Sequence, residues 1–161
     1  MNSLNPIMRI YKQIADAIES HEGKQNKREL KERILNLLSM VGLPSRVYSL
    51  YPHELSGGMK QRATMAIAVA LRPRVIIADE PTTAIDVTTQ AQVLNLLKQL
   101  QVDLGLSYLF ITHNISVVAY LAHEVAVMYL GKIVEQGTME EIFDNPSHPY
   151  TRGLMGSTVK G

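Results

Sequence analysis

The chain has 161 residues, 46% of them hydrophobic and none of them cysteine: enough for one packed domain or part of a larger one, with disulfides, thiolate metal sites and thiol catalysis excluded. Sixteen basic against fifteen acidic residues leave a net charge of +1 without a long basic block, so nucleic-acid binding through a charged surface is not indicated. No apolar run reaches the roughly 18 residues that span a bilayer, and the first residues lack the charged-then-apolar build of a secretion signal, so a soluble, cytoplasmic chain is the expectation.

Met1 to Pro6 reads as a polar turn. Ile7, Ile10, Tyr11, Ile14, Ala17 and Ile18 recur at helical spacing and predict an amphipathic helix over 7–20. After a polar break containing Gly23, Leu30, Ile34, Leu37, Leu38 and Val41 form the stripe of a second helix over 27–41, ended by Gly42 and Pro44. A short third helix is predicted around 46–50. Tyr51-Pro52-His53-Glu54 then leads into Leu55-Ser56-Gly57-Gly58-Met59-Lys60-Gln61-Arg62. His53 beside a proline reads as a solvated or locally bonded group. Ser56 is placed as the N-cap of an alanine-rich helix over 58–71, stopped by Pro73, and the two glycines leave its first N–H groups uncovered. Such a helix start attracts anions.

Residues 74–78 read as a buried parallel strand that delivers Asp79 and Glu80 to the carboxyl edge of a sheet. Alternation along a strand points the two acids in different directions. One can approach magnesium, usually through water. The other can orient and deprotonate an attacking water. The plain alternative is a pair of solvent-facing turn residues. A turn over 81–86 follows, with Asp86 as N-cap of a long helix over 87–104 whose stripe is Val87, Ala91, Leu94, Leu97, Leu100 and Leu104. Gly105 caps it, and 107–112 is a second buried strand with His113 just past its carboxyl end. Asn114 can cap a short helix over 115–121. Strands over 124–129 and 132–136 flank a turn at Leu130-Gly131, Gly137 ends the second, and a helical turn over 139–143 precedes a proline-kinked last helix. There is no internal repeat or low-complexity tract.

LSGGMKQR, then IIADEPTTAID, then Phe110-Ile111-Thr112-His113, in this order and at these spacings, resembles the second half of an ABC-type ATPase domain. His148-Pro149-Tyr150-Thr151-Arg152-Gly153-Leu154 resembles the tail motif of the branch that powers dipeptide, oligopeptide and nickel uptake. Met1 to Pro6 resembles that branch's segment just after a magnesium-sensing loop glutamine. The resemblance implies a partial P-loop NTPase-like α/β fold, a three-layer sheet with a helical subdomain. It divides the chain into a helical subdomain over 7–55, which touches the membrane partner, a signature-helix, Walker B and switch-histidine region over 56–136, and a C-terminal tail over 137–161. It implies ATP and Mg2+ as cofactors, with Asp79 on the metal and Glu80 on the attacking water. His113 would contact the terminal phosphate and organise Glu80. Ser56, Gly57, Gly58, Lys60 and Gln61 would face the nucleotide held by an opposite subunit, and Asp86 belongs to the D-loop between subunits. Two departures stand out: Ile85 where the family has leucine, and Asn114 where an aspartate usually follows the histidine.

No G-x-x-x-x-G-K-[ST] occurs in the chain. Neither nucleotide site is therefore complete, and the sheet is expected to leave an apolar edge and face exposed. Weak or absent ATP turnover by the chain alone follows. The reading is an ATP-hydrolysing subunit, in truncated form, of a peptide- or nickel-type ABC importer. Its expected partners are a second ABC ATPase subunit and transmembrane permease subunits, without nucleic acid, and its expected place is peripheral, on the inner face of the cell membrane. One alternative is a non-catalytic fragment that pairs with a full ATPase subunit. Another is an ABC-type DNA-repair ATPase, which the absence of cysteines and of a long insertion before the glycine pair argues against.

Overall fold

The computed structural model describes residues 4–83 and 85–158. Met1, Asn2 and Ser3 of the expected opening turn, Ala84 of the 81–86 turn and the tail beyond 158 lie outside the described residues. The chain divides into two units, residues 1–110 and 111–161.

The first unit begins with helices α1 (Ile10–Glu22) and α2 (Lys27–Met40), followed by 3-10 turns at Ser45–Ser49 and Pro52–Glu54. Helix α1 starts later than predicted. Asn5 Oδ1 accepts the Ile7 N–H at 3.1 Å, and this local turn keeps 5–8 out of the helix, so Ile7 is 82% exposed rather than on the apolar stripe. Asn26 caps α2 through the Arg28 N–H. Ile10, Ile14 and Ile18 of α1, Ile34 and Leu38 of α2, and Val47 form a buried cluster. Arg33 fastens its edge: the guanidinium donates to both carboxylate oxygens of Glu22 at 2.6 and 2.8 Å and to the Ala70 carbonyl at 2.8 Å. One side chain thus joins α1 and α2 to the end of the next helix, in the bidentate geometry that only arginine offers.

Helix α3 (Gly57–Val69) buries Gly58, Ala63, Met65, Ala66 and Val69, and the small side chains let it approach its neighbours closely. Strand β1 (Val75–Asp79) pairs with β2 (Ser107–Ile111), and the 18-residue helix α4 (Val87–Leu104) forms the crossover between them. Burial on both faces of these strands, as predicted from their apolar runs, is not observed. Ala78 is buried and Tyr108 half-buried on one face, while Val75, Ile77 and Leu109 are 58%, 67% and 55% exposed on the other. That is the open apolar face the motif inventory led one to expect. Helix α4 has the predicted bounds and left-handed Gly105 cap, but its buried stripe is Val93, Leu94, Leu97 and Leu100. Val87 and Ala91 face outward, because the first turn is oriented by its cap and the apolar face begins at Val93.

The second unit holds α5 (Ile115–Leu121), β3 (Glu124–Tyr129), β4 (Lys132–Thr138), α6 (Met139–Asp144) and α7 (Pro149–Thr158). Strands β3 and β4 form an antiparallel hairpin with Tyr129 opposite Lys132 and an irregularity between Val127 and Met128. Leu130 and Gly131 both have positive φ, the geometry of the tightest hairpin turn. Strand β4 runs two residues past the predicted end and passes directly into α6, whose N-cap Thr138 and Glu141 form a reciprocal capping box. Glu135 of β4, unremarked in the sequence, receives the Ser147 and His148 N–H groups at 2.6 and 3.0 Å and so closes the start of α7. The nearby Thr151 hydroxyl, then the Ser147 N–H, hold its carboxyl below the usual range, although that hydroxyl is buried without a hydrogen-bond partner of good geometry among the described residues.

Leu38→Ala is expected to lower unfolding free energy by about 2–5 kcal/mol, since the side chain is fully buried; a urea titration measures it. Glu135→Gln should speed amide exchange in α7 while leaving α1–α3 unchanged. Because the Glu135 carboxyl is held low, wild-type α7 protection should persist down to the ordinary glutamate range and fall as pH drops through the native value.

Candidate functional site

Ser56 sits in extended conformation before α3, and its hydroxyl accepts the Met59 N–H at 3.3 Å, so the predicted cap is present. The first N–H groups of α3 have no carbonyl within the helix to receive them. Gly57 is exposed and Gly58 is buried, so only the first glycine presents open backbone. Lys60 and Gln61, one turn in, are half-buried.

Asp79 ends β1 and is exposed. Glu80 does not continue the strand: its φ of 45° places it in the left-handed region, which costs a non-glycine residue about 1–3 kcal/mol. Strand alternation therefore does not govern the step from Asp79 to Glu80. The turn is held by the Thr83 N–H on the Glu80 carbonyl at 3.2 Å and by the Thr83 hydroxyl on Glu80 Oε2 at 3.0 Å. The signal for this turn in the sequence is a threonine three residues past the acid.

Gly57, Lys60, Gln61, Asp79 and Glu80 line one cleft of about 950 Å3 in the first unit. Its walls are largely apolar, with Pro52, Met65, Ala68, Ile76, Leu97 and Leu100 among them. Among the described residues Lys60 is the one lysine or arginine lining it, against two carboxylates. The Tyr108 hydroxyl on this wall is buried with no partner among the described residues, and burial pushes it up to about 12. His53 also lines the cleft, while its ring stacks on Tyr51 at 5.5 Å, the local engagement expected of it.

Ser56, Gly58 and Asp86 stand outside this lining. Asp86 is the N-cap of α4: the Thr89 hydroxyl, then the Thr89 N–H, hold its carboxyl below the usual range. His113 lies in the second unit, exposed, beside Asn114, whose side chain caps α5 through the Ser116 and Val117 N–H groups. Among the described residues no three His, Asp or Glu side chains gather into a metal cage. An exposed aspartate at a strand end fits the way Mg2+ is held by one or two carboxylates together with substrate phosphates.

The family model for ABC transporters matches residues 2–83, and the one for the oligopeptide/dipeptide transporter C-terminal region matches 134–160. The dipeptide transport ATP-binding protein DppD of Lactococcus lactis is 53% identical over 98% of this chain and 46% of its own length. The oligopeptide transport ATP-binding protein OppD of Bacillus subtilis is 52% identical over 98% of this chain and 44% of its own. The chain therefore spans about half the length of the curated relatives it matches. Among solved structures, a dimeric post-hydrolysis ATP-binding cassette bound to ADP and Pi superposes with a TM-score of 0.73 at 29% identity, covering 85% of this chain and 59% of that one. The cbiO1 protein of Clostridium perfringens, part of an ABC transporter complex, gives 0.75 at 29% identity, covering 89% and 56%. With both motif order and fold in agreement, the chain belongs to the ABC transporter ATP-binding family.

Proposed function

We propose that the chain supplies the signature helix and the acidic strand end of a peptide-importer ATPase, and that turnover requires a phosphate loop carried by polypeptide outside these 161 residues. The observation that carries the reading is the cleft beside Asp79 and Glu80. Its apolar walls, two carboxylates and single lysine suit a packed polypeptide segment and disfavour a polyanion bound directly. A phosphate loop brought there would place a terminal phosphate within reach of the strand-end acids.

In this reading Asp79 holds Mg2+, which when bound neutralises charge on the phosphates. Glu80, fixed by the left-handed turn and Thr83, orients a water and accepts its proton. Ser56, Gly57, Lys60 and Gln61 present the start of α3 to nucleotide held by an opposing subunit, with the buried Gly58 behind them and Asp86 at the subunit junction. His113 takes the terminal-phosphate role on its motif position alone. No helix among the described residues is long and apolar enough to cross a membrane. Transmembrane permease subunits are the partners this reading assigns. Assembly would be peripheral, on the inner membrane face. Peptide cargo, rather than nickel, is favoured by the names of the relatives and the match at 134–160.

The test is Mg2+-dependent ATP hydrolysis by the chain alone and mixed with polypeptide that carries a phosphate loop from the same branch. The chain alone should show no rate above background. The mixture should gain one, and Glu80→Gln should reduce that gain by about 100-fold or more, the usual weight of a positioned base. A gain indifferent to Glu80→Gln would contradict the reading.

A further inference from the structure

Thr89, to which the roles above give no task, links Asp86 to Gly58. Asp86 Oδ1 accepts the Thr89 N–H at 2.9 Å, and Oδ2 accepts the Thr89 hydroxyl at 2.6 Å. A threonine carries both its heavy atoms on Cβ, so fixing Oγ1 also fixes the methyl group. That methyl lies where a side chain on Gly58 would begin, closer than any Cβ tolerates. Gly58 does not occupy the left-handed region, so nothing in its backbone demands glycine. Ile85 stands against Gly57 less closely: its Cγ2 would lie 3.3 Å from an added Cβ, a tight contact but not a clash. The buried second glycine is thus required by the chain's own packing, at the point where α3 rests on α4.

We propose that Thr89 is a positioning residue, held by Asp86 so that its methyl group sets how closely the start of α3 seats on α4 and where the Ser56 cap points. A displacement of Asp86 frees the Thr89 rotamer and lets α3 shift at its anion-facing end. The functional weight of this contact rests on the reading of Ser56 and Gly57 as nucleotide-facing. The contact itself does not.

Size complementation tests it. Gly58→Ala should lower the thermal midpoint of the chain and move the Met59 and Lys60 amide resonances. Thr89→Ser keeps the hydroxyl and removes the methyl, and Gly58→Ala/Thr89→Ser should recover most of the lost midpoint and return those resonances toward wild type. Should Gly58→Ala fail to fold, a folded spectrum from the double variant is the same result. Thr89→Val keeps the shape and loses the bond to Asp86; it should shift the Met59 amide and speed its exchange several-fold with α1 and α2 undisturbed. In the mixture with a phosphate loop, the double variant should regain ATPase rate lost in Gly58→Ala. A double variant no better than Gly58→Ala, or a Met59 amide indifferent to Thr89→Val, overturns the inference. Packing recovery without rate recovery overturns it too, because nucleotide would then be what demands Gly58. A mixture inactive even with wild-type chain counts against the proposed function, while the midpoints and amide shifts still decide the contact.

Discussion

The start of helix α3 can face outward only because α4 starts directly against it. Two glycines, an isoleucine and a capped threonine bring the helix ends to a separation that no Cβ at position 58 would allow. Ser56 caps α3 at that point, and the buried face of the helix carries Gly58, Ala63, Met65, Ala66 and Val69. Below it, Arg33 ties the far end of the same helix to α1 and α2. Helix α3 is therefore held at both ends by directional contacts and along its length by small side chains. A helix so constrained suits a part that must hold one orientation while the acids nearby are engaged.

The left-handed turn at Glu80 is the other device. A strand that simply continued would carry Glu80 onward along the sheet edge. The turn instead brings the carboxylate to Thr83, and the local cost is offset by two hydrogen bonds within four residues. Strain of this kind is maintained where the direction of one side chain matters more than the stability of one turn. The open face of Val75, Ile77 and Leu109, and the unpartnered Tyr108 hydroxyl, mark where the first unit's apolar and polar groups lack neighbours among the described residues.

Much of this was legible in the chain. The caps at Ser56, Asp86, Asn114 and Gly105 follow from local chemistry, since each acts within a turn of its own helix. The order of glycine pair, acid pair and histidine identified the family. What escaped depends on contacts between distant segments or on local competition with periodicity. Ile7 fits the helical period, yet Asn5 captures its N–H. Glu135 looks like one more exposed acid on a strand until α7 returns to it. Thr89 sits on what reads as the polar side of α4, and only the approach of α3 gives its methyl group a task. Burial of the β1 and β2 runs could not be judged from apolarity, because the face a strand buries depends on what packs against it.

Calorimetric titration with MgATP addresses the central claim most directly, performed on the chain alone and again with a phosphate-loop-bearing segment from the same branch. The account predicts no saturable heat from the chain alone and saturable binding once the loop is present. Saturable binding to the chain alone, lost on Ser56→Ala or Glu80→Gln, would contradict it and make these residues a nucleotide site in their own right.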